Sequence, residues 1–427
     1  MILEYEKKTT NISDFPKNSA VFLALAKQIY TFEDIRTFKS VYKGDIILIT
    51  LEEKIDSGKL NSGIYIISIF DFYSLKGSFN YFRKFFSKIE IFISKVFFSN
   101  MYKKLLNFGN QNATTPIFFG FVIKNILKFL TPKIIIATQV IRYGFAASVY
   151  KKCPSYIRPH GQDIYLFSNA SPFLKILTQY IIDNTQGFIL NSENAKSYLN
   201  NNFTIKDDFQ FLLSDGIDTL PENISYNKTQ IRLIRNNYNI KKDEYVIMNL
   251  RRFQVGWGIN EITNSILENS PTLDSFKIIL IEGDYNFGNK QYINSLKQSS
   301  AWSNIIYIEG SVSKEEYFDL IKISDVGISI MDSGDMRSDS IMLAATLGLP
   351  IIMNKNIEFL NLSKRGFHAF FIDELDRNDL FKLLLYLKNN PTIRRKYAEN
   401  NEDFIKHLIK NNSSLKVLYK KILLGLN

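Results

Sequence analysis

The sequence predicts an α/β chain built from two Rossmann-like, doubly wound domains. Three observations carry this prediction. Between Lys242 and Pro350, short apolar runs rich in Ile and Val recur at 245–250, 277–282, 304–309 and 325–330, each closing in a charged or glycine turn and separated by a helical stretch. A similar rhythm of shorter runs occupies the first 213 residues, and a polar segment at 221–243 divides the two series. Continuous rather than alternating apolar runs are what a parallel sheet covered on both faces requires, because neither side of the strand meets water.

The elements follow in order. Ser19–Leu25, Asp45–Thr50 and Gly63–Ile69 read as strands, by length and β-branching. From Phe79 to Leu106 the pattern turns helical: Phe82, Phe85, Phe86, Ile89, Ile93, Val96 and Phe97 recur at spacings of three and four. A second helix is expected over 117–130, then a buried strand at Lys133–Ala137 and a helix to about Lys152. Strands at Ser155–Arg158, Gly187–Ser192 and Phe209–Leu213 close the first sheet. The polar segment places the domain boundary near residue 225, giving domains at 1–225 and 226–390, with helices over 391–427.

Composition narrows the function. The chain has 427 residues, 45% hydrophobic, which suits two or three domains with ordinary cores. A single cysteine, Cys153, excludes an internal disulfide and fits a reducing cytoplasm. With three histidines and no Cys/His cluster, no zinc site is expected. No apolar run is long enough to span a bilayer, and the N-terminus lacks a basic-then-apolar leader. The net charge is +11, and residues 1–220 hold 26 Lys/Arg against 18 Asp/Glu, so +8 of it lies in the first half. From Glu90 to Asp163 no acid intervenes, while ten basic residues run from Lys95 to Arg158. A field of one sign attracts polyanions. No nucleic-acid reading motif is present, which leaves phosphorylated substrates or an anionic membrane. The Phe79–Leu106 stripe is either core or a membrane-interface helix whose lysines reach lipid head groups.

Four stretches have the residue types of a ligand site. Pro159-His160-Gly161-Gln162-Asp163 follows a strand directly, so it sits at a sheet edge. There a neutral His160 could accept from or donate to a ligand hydroxyl, or merely cap the helix beginning at Asp163. Ser192 in Asn191-Ser192-Glu193 reads as a helix N-cap, and Gly216 in Ser214-Asp215-Gly216-Ile217-Asp218 as a turn glycine. Arg252 lies just past the first strand of the second series, followed by Trp257. Finally, Gly334, Asp335, Met336, Arg337 and Ser338 lie between a strand and the helix leading to Ala344-Ala345-Thr346-Leu347-Gly348-Leu349-Pro350. Ligands bind at the carboxyl ends of parallel strands, where Arg252, Gly283, Gly310 and Asp335 are expected to gather.

Together these stretches resemble glycosyltransferase family 4, retaining enzymes of the GT-B fold. The resemblance is specific over about residues 155–390. It implies two domains facing a central cleft, with the helices after Pro391 returning to the N-terminal domain. It also implies catalytic roles: His160 beside the donor sugar, Arg252 on the leaving diphosphate and Asp335 on a sugar hydroxyl. Gly161, Trp257, Gly283, Gly310, Gly334, Met336, Arg337 and Ser338 are the implied donor-binding positions. Two positions depart from the family pattern: Trp257 replaces a lysine, and Leu343 replaces the second of two glutamates.

The expected function is transfer of a sugar from a nucleotide-sugar donor to a saccharide or lipid-linked acceptor, with retention and without a metal or other cofactor. The setting would be bacterial surface polysaccharide or glycolipid synthesis, in the cytoplasm or peripherally on the inner face of the membrane. A glycosidase is disfavoured, because no paired carboxylates converge. The alternative is a non-catalytic GT-B homologue acting as a binding or scaffold subunit, for which Trp257 and Leu343 are the argument.

Overall fold

The computed structural model describes residues 5–8, 12–24, 29–51, 58–60, 63–69, 116–159, 163–165, 172–214, 226–251, 262–264, 275–282, 290–330, 339–355, 357–372, 377–410 and 415–425. The chain divides into two compact units, Met1–Asp215 with Ser413–Asn427, and Gly216–Asn412. The expected Phe79–Leu106 helix lies outside the described residues, as does the expected boundary itself.

Among its described residues the first unit is built on nine strands: β1 (Tyr5–Lys8), β2 (Ala20–Leu23), β3 (Ile46–Thr50), β4 (Gly58–Leu60), β5 (Ile64–Ser68), β6 (Ile134–Thr138), β7 (Ser155–Arg158), β8 (Gly187–Leu190) and β9 (Gln210–Leu213). They lie in the order β1-β4-β5-β3-β2-β6-β7-β8-β9. The run from β5 to β9 is parallel, and β4 pairs antiparallel with both β1 and β5. Every residue of β2, β3 and β6 is buried, which is why their sequences show no alternation. β1 and β4 are not expected from the sequence: Tyr5-Glu6-Lys7-Lys8 and Gly58-Lys59-Leu60 are short and polar, and β1 forms the sheet edge with β4 beside it.

On one face of this sheet, Phe32, Ile35 and Phe38 of the helix Ile29–Lys39 pack with Leu415, Leu418, Tyr419 and Ile422 of the terminal helix Leu415–Leu424. The rings of Phe38 and Tyr419 meet edge to face at 5.0 Å. The sequence reading put the return of the chain at Pro391. In the structure the helix Pro391–Lys410 still packs within the second unit, against the helix Asp339–Thr346, and only the residues from Ser413 belong to the first. Its Arg394 explains why: the guanidinium pairs with Asp325 at 3.6 Å and stacks over the Tyr245 ring.

Among its described residues the second unit has six parallel strands: β10 (Tyr245–Asn249), β11 (Phe276–Ile281), β12 (Ile305–Ile308), β13 (Val326–Ser329), β14 (Ile351–Asn354) and β15 (Phe370–Ile372). Their order is β12-β11-β10-β13-β14-β15. In both units the first parallel strand therefore lies mid-sheet, with its next two partners on one side and the later strands on the other. This is the doubly wound Rossmann arrangement. Apolar clusters fill both faces, one around Met248, Leu250, Ile279 and Met353, the other around Ile247, Ile278, Ile328 and Ile352.

Local signals behave as their chemistry dictates. The Ser192 hydroxyl accepts from the amides of Asn194 and Ala195 at 3.1 and 3.2 Å, capping the helix Glu193–Asn202. Ala344-Ala345-Thr346 ends the helix Asp339–Thr346, and Gly348, with φ +79°, turns the chain out of it toward β14. A further expectation fails. Instead of a regular helix from Ala137 to Lys152, the chain makes a π-helical turn over Gln139–Gly144 and a single α-turn over Phe145–Ser148.

Candidate functional site

A doubly wound sheet binds ligands outside the carboxyl ends of its strands, at the point where strand order reverses. In the second unit that point lies between β10 and β13. The chain leaves β10 through Asn249, Leu250 and Arg251, and leaves β13 through Ser329 and Ile330. Arg252 and Trp257 come next after the first exit; Gly334, Asp335, Met336, Arg337 and Ser338 come next after the second. Both candidate segments thus begin at the reversal, although these residues themselves lie outside the described ones. So do His160, Gly161 and Gly283.

What surrounds them is well defined. The Leu250 amide donates to the Ile328 carbonyl at 2.9 Å, keeping β10 and β13 paired up to the exit. Asn249 is buried and its Nδ2 donates to the Arg251 carbonyl at 2.7 Å, bending the chain just before Arg252. The Tyr317 hydroxyl donates to the Leu250 carbonyl at 3.4 Å and shares a hydrogen bond with Ser340, in the first turn of the helix Asp339–Thr346. Tyr317 therefore ties the two exits together. Burial pushes its phenol well above the ordinary range, so it remains a neutral hydroxyl. The amino end of the helix Asp339–Thr346 is the positive end of its dipole, which favours a phosphate or sugar oxygen.

Gly310 is the one predicted donor-binding position among the described residues. It follows β12 with φ +75°, a conformation that disfavours any side chain, and its amide donates to Glu282 Oε2 at 3.1 Å. Glu282 is buried at the end of β11 and also engages the Tyr307 hydroxyl; burial first and this carboxylate second drive the Tyr307 phenol up. Leu343 is half-buried and packs on the apolar cluster that holds Leu250, as Tyr317 also does.

In the first unit the reversal lies between β2 and β6. Arg158 closes β7 and forms a buried ion pair with Asp34 of the helix Ile29–Lys39, fixing the strand end from which Pro159 and His160 depart. Three residues after His160, the buried Asp163 carboxylate accepts the Val140 amide at 2.7 Å. The His160 motif is thereby bracketed by two buried anchors. The sequence reading named neither Asn249, Tyr317, Glu282 nor Arg158 as part of a site. The only signal available was their place within two residues of a strand end, apart from Tyr317, which had none. Among the described residues, no three His, Cys, Asp or Glu side chains gather closely enough to hold a metal ion.

Neither a family model nor a curated protein matches the chain by sequence. Solved structures do match it by fold. Sucrose-phosphate synthase from Thermosynechococcus elongatus superposes with a TM-score of 0.72 at 12% identity, covering 96% of this chain and 99% of that one. This chain has the GT-B glycosyltransferase fold. WaaG, a glycosyltransferase involved in lipopolysaccharide biosynthesis, is similar to this GT-B chain with a TM-score of 0.65 at 11% identity, over 96% of this chain and 99% of WaaG. Anabaena HepE in complex with UDP-glucose gives a TM-score of 0.65 at 11% identity, over 95% and 98%. No helix among the described residues is long and apolar enough to cross a membrane.

Proposed function

We propose that this GT-B chain is a glycosyltransferase that moves a sugar from a nucleotide-sugar donor to a saccharide or lipid-linked acceptor, with retention of configuration, in bacterial surface polysaccharide or glycolipid synthesis. The observation that carries the reading is the position of the segments bearing Arg252 and Asp335, which begin at the strand-order reversal of the second unit. In this reading Arg252 offsets charge on the departing diphosphate, Asp335 holds a sugar hydroxyl and His160 supports charge at the transferred carbon. The protein contributes positioning and fixed electrostatics, with no covalent intermediate and no metal. Its basic first half makes contact with an anionic membrane part of the proposal.

Calorimetry with UDP and other nucleoside diphosphates, followed by turnover of a nucleotide-sugar panel, tests it. Arg252→Ala should cost about 2–4 kcal/mol of transition-state stabilisation, a loss of roughly thirtyfold to nearly a thousandfold in turnover with an unchanged fold. Wild-type kinetics in that variant would remove Arg252 from the mechanism.

A second reading, a binding or scaffold subunit, draws support from Leu343. Packed on the apolar cluster, it offers no hydrogen bond where the resemblance puts a ribose contact. Absence of nucleotide binding in calorimetry would favour this reading over the transferase.

A further inference from the structure

Gln139 is the first residue after β6, at the carboxyl edge beside the strand-order reversal of the first unit. The register pairs Thr138 with Arg158, so Gln139 leaves the sheet alongside Pro159, the residue before His160. Its φ is +69°, a conformation that strains a side-chain-bearing residue and that glutamine has no special tendency to adopt. Among the described residues, three other non-glycine residues have positive φ: Asn18, Thr131 and Asn239. Asn18 and Thr131 hydrogen-bond each other, and Asn239 lies in the turn after the helix Lys228–Asn237.

The surroundings force this conformation. Asp163 holds the next amide, that of Val140, at 2.7 Å. The fully buried Tyr143, four residues on, accepts the Leu51 amide at 3.0 Å. Gly144 lets the π-helical turn close, since a Cβ there would stand 3.2 Å from the Gln139 carbonyl. Strain maintained by several anchors at a sheet edge is a mark of function. The Gln139 side chain is half-buried, and among the described residues none hydrogen-bonds its amide.

We infer that Gln139 is a ligand-binding residue of the first unit, its primary amide donating to one hydroxyl of a sugar and accepting from a neighbouring one. An amide carries both functions on adjacent atoms, which matches a vicinal diol. The choice of a sugar as ligand rests on the transferase reading above.

The test compares Gln139→Gly, which keeps the backbone conformation without strain, with Gln139→Asn, which keeps a shorter amide, and with Asn239→Gly as a positive-φ control outside the site. The probes are glucose, galactose, mannose and N-acetylglucosamine, followed by saturation-transfer NMR, with UDP titrated calorimetrically into each protein. Wild type and Asn239→Gly should show saturation transfer to at least one sugar. Gln139→Gly should weaken that binding about tenfold, and Gln139→Asn less, the loss expected for one hydrogen-bonding group. UDP binding, a property of the other unit, should be the same in all four. Equal sugar signals in Gln139→Gly and wild type, or none in wild type, overturn the assignment of Gln139. Sugar binding that behaves as expected without any UDP heat supports Gln139 and instead sinks the transferase reading.

Discussion

Replacing Asp163 by alanine tests how the carboxyl edge of the first unit is built. The carboxylate is buried and accepts the Val140 amide at 2.7 Å, within the short range of a charge-assisted bond. Its removal leaves a buried N–H in the π-helical turn without an acceptor, which costs about 2–3 kcal/mol. Asp163→Asn keeps a neutral acceptor of similar length and should cost about half as much, since charge assistance roughly doubles such a bond. Cys153 supplies the assay. It is the sole cysteine and lies in the first unit, so its alkylation as a function of urea reports unfolding of that unit alone. The alanine variant should lower the urea midpoint by about 1 M, the asparagine variant by about half of that. Because His160 lies three residues upstream, turnover should fall in the same order. An alanine variant with the wild-type midpoint, or an asparagine variant as damaged as the alanine one, would refute the reasoning.

Leu343→Glu should cost about 1 kcal/mol of stability, because a half-buried leucine leaves the apolar cluster. If the nucleotide takes the pose implied by family resemblance, it should also tighten UDP binding about tenfold in calorimetry. Gly327→Ala would put a Cβ 2.8 Å from Leu250 Cδ1 and 3.0 Å from Leu349 Cδ2, both nearly fully buried. A loss of about 1–3 kcal/mol should appear in denaturation curves of the second unit, and none would mean the core there is loose. Burial pushes the Cys153 thiol from 9.0 up to about 12, so native alkylation at pH 8 should be far slower than in the unfolded chain. The folded state keeps a proton that the unfolded state releases. Stability of the first unit should therefore fall as pH rises from 9 toward about 12, and a flat profile would count against a buried thiol.

Much of the fold was legible because it depends on neighbours in sequence. Runs such as Ile134-Ile135-Ile136-Ala137 and Ile46-Ile47-Leu48-Ile49 suit only a strand buried on both faces. The Ser192 cap was legible for the same reason, its acceptor and donors being two and three residues apart. Alternation of such runs with helical segments was enough for two doubly wound sheets, and with them the rule that ligands gather at carboxyl ends. Strand order was not legible, and it alone decides which ends flank the reversal. That Arg252 and Asp335 follow β10 and β13, neighbours in the sheet though some eighty residues apart, emerges only from pairing of the assembled strands.

The departures share that cause. A helix was a fair reading of 138–152 from local pattern, but the Val140–Asp163 and Leu51–Tyr143 bonds, spanning 23 and 92 residues, impose the π-helical turn and the positive φ of Gln139. Likewise, composition could not foretell that Pro391–Lys410 stays with the second unit, because the Arg394–Asp325 pair bridges separate elements. Short-range periodicity specifies what each segment is, since burial and backbone preference act within a few residues. Which segments meet is settled by long-range pairing, whose cost and gain are shared by the whole sheet, and the edges where ligands bind are made of such meetings.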